Sequence, residues 1–440
     1  TSVMVPVGQS ATATITEVAT LPDGVSDVQW LGDDRLVLLA PARPADQEGV
    51  DDAELARRPR ILTRTDYRFN GRGWINDRPG QVFVLDLAAE GSDRRAIGLD
   101  GVDQHTMAVS PDGDFVAVTA TGDDNGGNEV WLLSTAPNGP DSGQRVEPVL
   151  LTEPDGFWAA LAWHPDGTLV ATGMAGRGVG YLRPHRLALP AGVGGRVGGG
   201  SPSPVPSVTP LGDIDQNIGF GPGARWSVAV DGGFLFAGLR RGRIAVDHHG
   251  LDGSHQVVHE GPHQVLAFDA NADRSVVVGA VTSPTRPAEL WRLDGEPRRL
   301  IGLNDELLAT LDLAEVEEVT VTSADGTEVH AFMTRPPASA PDTTTPGGRP
   351  GLLYIHGGPM FQYGLNFFDE FQMAAACGYV VIGGNPRGSD GYGEAWAQAI
   401  TGDLGNLDWM DVTALADHLA ADADVDGDRL GIGGGSYGGF

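Results

Sequence analysis

Over residues 1 to about 305, short apolar runs alternate with Asp/Gly turns, and the period of the apolar positions is two. The unit is clearest at 28–38, 107–118 and 161–171, where an apolar strand meets a Gly-Asp-Asp or Pro-Asp-Gly turn and a second apolar strand follows. Weaker copies lie at 228–236 and 267–278. Pro presets the first turn residue, Asp and Gly complete the turn, and the alternation buries one face, so each copy predicts a β-hairpin. A third strand is predicted after some of them, at 128–133 and 288–293. Units of about 40 residues built from antiparallel strands predict propeller blades, and about 305 residues give roughly seven. A single large β-sandwich is the competing expectation. Two segments interrupt the pattern. Residues 191–213 form a Gly/Ser/Pro-rich stretch, expected as a long loop. Residues 57–77 are rich in Arg and aromatics, expected as an extra hairpin or an insertion.

Near residue 316 the pattern changes. Strands are predicted at 319–322 and 329–333 around Asp325-Gly326. Short buried strands at 352–355, 379–382 and 429–433 then alternate with helical spacing at 367–377 and 409–421. Strands alternating with helices predict a parallel sheet. The expected architecture is a β-propeller over 1–305, followed over 306–440 by the first half of an α/β-hydrolase domain.

Composition adds limits. The chain has 440 residues and a formal charge of −30, and all 29 of its cations are Arg. Such an acidic balance argues against a generalised basic field for nucleic acid or anionic membrane. A single cysteine, Cys377, excludes an intrachain disulfide framework and any Cys-rich metal site. No apolar run reaches the length of a membrane span, and no signal peptide is visible. The expected setting is cytoplasmic, with no nucleic-acid or membrane partner; self-association is left open.

Three motifs carry the candidate chemistry. Gly434-Gly435-Ser436-Tyr437-Gly438 is a G-x-S-x-G that directly follows a predicted strand. A nucleophile in a sharp strand-to-helix turn needs small neighbours, because the turn is strained and the hydroxyl must project from the sheet. His356-Gly357-Gly358-Pro359 follows the strand at 352–355. Its glycines suit a backbone N–H that approaches an oxyanion, so Gly358 (or Gly357) and Tyr437 are the expected oxyanion-hole donors. His356 itself is expected to brace the loop. Asn385-Pro386-Arg387-Gly388-Ser389-Asp390-Gly391-Tyr392-Gly393 follows the next strand, and its Arg387 and Tyr392 are candidates either for holding substrate or for holding the scaffold.

Together, and behind a predicted propeller, these motifs resemble the prolyl oligopeptidase family of serine peptidases, in its acylaminoacyl-peptidase and dipeptidyl-aminopeptidase-like branch. The resemblance implies that Ser436 forms an acyl-enzyme, that a His and an Asp assist it, and that the propeller admits only short peptides. No cofactor is implied. Chain order departs from the family: the fold places Asp and then His after the nucleophile, and only four residues follow Ser436. Both partners are therefore expected beyond Phe440, either because a longer peptidase continues there or because a cut subunit receives them from a partner segment. His248, His249, His255, His259 and His263 cluster in the β-rich part without H-E-x-x-H spacing, so no metal is expected there. The acidic run Asp422, Asp424, Asp426 and Asp428 is expected as a solvated loop. A carboxylesterase on the same scaffold and a non-catalytic propeller are the rival readings.

Overall fold

The computed structural model describes residues 2–7, 14–21, 23–43, 47, 49–60, 62, 67–69, 73–75, 78–87, 94–121, 127–136, 147–176, 178–190, 207–219 and 227–440. Most of the Gly/Ser/Pro-rich stretch at 191–213 and about half of 57–77 lie outside them. Contacts divide the chain into two compact units, residues 1–178 with 184–210, and residues 179–183 with 211–440. Among the described residues no helix is long and apolar enough to cross a membrane.

The first unit is built of antiparallel meanders. One runs through Asp27–Leu31, Arg35–Pro41, Gly80–Asp86 and Arg94–Ala96, and the next through Gln104–Val109, Phe115–Thr121, Asn128–Ser134 and Val149–Leu150. A third uses Phe157–Trp163, Leu169–Met174, Arg183–Leu187 and Val208–Pro210. The hairpin turns form as the Pro-Asp-Gly signal requires. At Ser110 the amide bonds the Phe115 carbonyl at 2.9 Å, and Asp112 Oδ1 accepts from the Asp114 amide at 3.1 Å. Gly113 there sits at φ 76°, a left-handed conformation that favours glycine. Neighbouring meanders share apolar cores: Leu31, Val37 and Val82 cluster with Met107, Val116 and Val118. The other side of the second meander places Ala117, Val130 and Leu132 with Trp158, Trp163 and Leu169.

The second unit begins with two further meanders. Ser227–Val230 pairs with β1 (Gly233–Arg240), which pairs with β2 (Arg243–Gly250), which pairs with β3 (His255–His259). Gln264–Ala270, Val277–Ser283, Arg286–Arg292 and Arg298–Arg299 form the other.

The same unit then carries the α/β segment. Its elements are β4 (Val316–Thr322), β5 (Glu328–Thr334), β6 (Arg349–Ile355), α1 (Asp369–Ala376), β7 (Val380–Asn385), α2 (Glu394–Gln398), α3 (Leu407–Ala420) and β8 (Val425–Gly434). The sheet order is β4-β5-β7-β6-β8. Strands β6, β7 and β8 are parallel, while β4 and β5 are antiparallel additions. Alternation along each strand feeds two layers. Val380 and Ile382 face Val412, Leu415 and Leu419 of α3, whose spacing is one helical face. Phe332 and Val381 face Phe371 of α1, with Tyr363 and Leu365.

One expectation is corrected, and one element is new. The acidic run is half strand: β8 starts at Val425, and the carboxylates of Asp422, Asp424 and Asp426 have partners. Arg335 reaches Asp422 at 2.7 Å, and the Thr345 hydroxyl donates to Asp426 at 2.7 Å. Helix α2 has no counterpart in the predicted elements; at five residues it is too short to show a hydrophobic period.

Leu415 is 1% exposed and lies against the β7 backbone. Leu415→Ala should cost about 2–5 kcal/mol, seen as a lower urea midpoint at unchanged slope. A loss below about 1 kcal/mol would mean that α3 is not tightly packed on the sheet.

Candidate functional site

Strand β8 runs into a 3₁₀ turn, Ser436–Gly439, and Ser436 stands at the junction. Its φ is 57°, one of three positive values found for non-glycine residues among those described. This conformation is costly for a residue with a Cβ and persists only where the surroundings enforce it. The enforcement is visible. A Cβ on Gly434 would lie 2.3 Å from the Gly438 carbonyl oxygen, and one on Gly438 would lie 2.0 Å from that of Ile355. Both outer glycines of the motif are therefore needed for close backbone approach, whereas a Cβ on Gly435 would meet only open space. Ser436 is exposed, and among the described residues its hydroxyl has no hydrogen-bond partner.

Parallel pairing of β6 with β8, in register Ile355 with Gly434, brings the next motif alongside. A Cβ built on Gly357 would lie 3.4 Å from Ser436 Cβ and 4.0 Å from its Oγ. Side-chain-free backbone is thus held against the serine. His356 is 3% exposed, with Nδ1 2.7 Å from the Gly357 carbonyl oxygen and Nε2 2.9 Å from Ser389 Oγ. Because C=O and N–H of a trans peptide point in opposite directions, the bond to the Gly357 carbonyl also orients the Gly358 N–H. Burial pushes the His356 imidazole down to about 4, so it is neutral at ordinary pH. Gly358 has φ 120° and precedes a cis Pro359.

Tyr437 is anchored from below. Its hydroxyl donates to Asp408 at the start of α3, and Asp408 also accepts from the Gly405 amide at 2.9 Å. Burial, reinforced by that carboxylate, pushes the Tyr437 hydroxyl upward, so it stays protonated.

The third motif faces inward. Arg387 is 8% exposed and grips Asp411 with Nε at 2.9 Å and Nη2 at 2.7 Å, and its Nη1 reaches Asp325 at 2.6 Å. Hydrogen bonding to Asp411 raises its already high pKa. The Tyr392 hydroxyl lies 2.7 Å from His330 Nδ1 and accepts from Asn385 Nδ2 at 2.8 Å. Both candidate side chains are thus occupied by protein partners that tie β7 to α3 and β5. Asp408, Asp411 and Ser389 were not singled out by sequence reasoning, and nothing local marks them, since each is defined by a partner 24 to 33 residues distant.

Residues 365–440 match the prolyl oligopeptidase family. Over that segment the chain resembles members of that family. It is 36% identical over 211 residues to the uncharacterized peptidase YuxL of Bacillus subtilis, an alignment covering 47% of this chain and 32% of that protein. It is 30% identical over 188 residues to dipeptidyl-peptidase 5 of Porphyromonas gingivalis, covering 41% of this chain and 26% of the relative. In fold it is similar to the acylaminoacyl peptidase of Pyrococcus horikoshii, with a TM-score of 0.74 and 20% identity, covering 97% of this chain and 61% of that one. The chain therefore spans less than two thirds of these proteins. The three motifs fall inside or just before the matched segment, residues 365–440.

The loop after β7 also holds a buried acid. Asp390 is 3% exposed, accepts from Asn217 Nδ2 at 2.5 Å and from the Gly391 amide at 2.6 Å, and is pushed up to about 6 by burial. A carboxyl whose folded value lies above its ordinary 3.8 binds its proton more tightly when folded. Its contribution is therefore greatest below pH ~4 and is lost as pH rises through ~6. Asp390→Asn should flatten the pH dependence of unfolding free energy across that window and raise stability at pH 7 by as much as about 2–3 kcal/mol. Identical slopes in both proteins would contradict the assignment.

Proposed function

We propose that this chain is the propeller and first catalytic half, 306–440, of a serine peptidase that hydrolyses short peptides through an acyl-enzyme on Ser436. The observation that carries the reading is the strained, exposed Ser436 beside the bare Gly357-Gly358 backbone. Ser436 Oγ attacks the scissile carbonyl and gives its proton to a histidine base. The Gly358 and Tyr437 N–H groups receive the developing oxyanion, a contribution of ~3–4 kcal/mol per donor. The base then protonates the leaving amine, and water releases the acyl group. The base and its carboxylate partner are assigned to residues outside 1–440. Two features support a continuation of the sheet: β8 is an edge strand, and beside it lies an apolar groove of about 400 Å³ with Trp409 63% and Ile432 66% exposed.

Five four-stranded meanders among the described residues and their shared cores support the propeller, with seven blades as the expectation from length. A propeller joined to the α/β segment would restrict entry to short peptides. Arg387 and Tyr392 act in this reading by holding the loop. The names of the relatives favour an acylaminoacyl- or dipeptidyl-peptidase specificity. A carboxylesterase would share the same serine and oxyanion donors.

The test compares acylaminoacyl, dipeptidyl and short-ester substrates on the full-length enzyme and on Ser436→Ala. Peptide hydrolysis should fall by at least ~10⁴-fold in the variant. Unchanged hydrolysis in Ser436→Ala would sink the assignment, and ester cleavage without peptide cleavage would favour the esterase.

A further inference from the structure

A second cluster of chemistry lies in the β1–β2–β3 meander, away from the serine motif in sequence. Asp247 and His249 are two residues apart on β2 and so share a face. The register pairs His249 with His255 across to β3, which puts the third side chain on that face. A carboxylate oxygen of Asp247 and one ring nitrogen from each histidine all lie within 4.8 Å of one another. The hairpin joining them is tightly made: the Gly250 amide bonds the Ser254 carbonyl at 2.8 Å, and Gly253 takes φ 86°.

His249 supplies the independent observation. It is 1% exposed, and among the described residues neither of its ring nitrogens makes a hydrogen bond. The Leu211 backbone acts on the ring, but not at a hydrogen-bonding geometry. Leaving a buried polar side chain unsatisfied is unfavourable, and native proteins seldom do it without a reason such as a ligand. Asp247 is fully buried and held by Arg240, whose Nη2 lies 2.7 and 2.8 Å from its two oxygens. A carboxylate has lone pairs for a further partner, and metal-bound carboxylates are commonly steadied by such hydrogen bonds. His255 already has Nε2 3.5 Å from Asp247 Oδ1, and with 26% of its side chain exposed it is the member with most room to move.

We propose that Asp247, His249 and His255 form a binding site for a divalent transition-metal ion, with Zn²⁺ the best match. Two imidazoles and one carboxylate are a zinc-type donor set, and three protein ligands leave a fourth position for water. Bonds of ~2.1 Å place tetrahedral donors ~3.4 Å apart, so closure needs a displacement of roughly 1 Å, which the His255 ring supplies. The Arg240 charge opposes a cation here, and the Asp247 carboxylate it contacts offsets that charge. The ion would pin β3 to β2 in the meander that meets the α/β segment, where Gly242 N donates to Gln362 Oε1 at 2.8 Å and Arg241 N to the Gly391 carbonyl at 2.9 Å. The rival pair is His259 and His263, whose Nε2 atoms are 2.8 Å apart.

The test is a Co²⁺ titration of the full chain after chelator treatment, followed by displacement with Zn²⁺. One equivalent should give a tetrahedral cobalt spectrum that Zn²⁺ erases. His255→Ala, a partly exposed position, should weaken Zn²⁺ binding at least ~10-fold while the far-ultraviolet spectrum is unchanged, and His263→Ala should bind as the parent does. The proposal is overturned if no tetrahedral spectrum appears, if His255→Ala binds as tightly as the parent, or if His263→Ala loses the ion instead.

Discussion

The α/β segment depends on how closely two parallel strands approach at their C-terminal ends. Ile355 on β6 and Gly434 on β8 are register partners, and the chain beyond each passes so near the other that a single added carbon at Gly438 would sit 2.0 Å from the Ile355 carbonyl oxygen. Everything proposed for the site follows from that contact. It forces the turn that gives Ser436 a positive φ, and it brings Gly357 against the serine. The remaining side chains hold the contact in place: His356 fixes the Gly357-Gly358 peptide, Tyr437 is tied to Asp408, and Arg387 binds β7 to α3 through Asp411. A nucleophile elbow is in this sense a packing problem solved by glycine, and the chemistry is what the solved geometry permits.

What could be read along the chain was what depends on near neighbours. The Pro-Asp-Gly turns near 112 and 166 formed the hairpins that their side chains and φ preferences require. Helix α3 was legible because Val412, Leu415 and Leu419 repeat at helical spacing. The G-x-S-x-G was legible because its glycines are demanded by its own turn. Features set by distant register were not legible. From the sequence Arg387 is a candidate for either scaffold or substrate, and its carboxylate partners Asp411 and Asp325 lie on two other elements. The acidic run looks like a loop along the chain because its partners, Arg335 and Thr345, lie more than 80 residues upstream.

The histidine cluster shows the same limit from the other side. Spacing along the chain matches no helical metal motif, and on that basis no metal was expected. Strand geometry changes the relevant period from four to two and adds a partner across the hairpin, so Asp247, His249 and His255 converge where linear spacing hides them. A metal there would act on the rigidity of the meander, and its presence or absence leaves the serine chemistry as argued.

The central claim is that Ser436 is a nucleophile, and covalent labelling tests it most directly. The full-length enzyme treated with a fluorophosphonate should gain one adduct, mapped by peptide mass spectrometry to Ser436 and absent from Ser436→Ala. An adduct on another residue, or equal labelling of the alanine variant, would contradict the account.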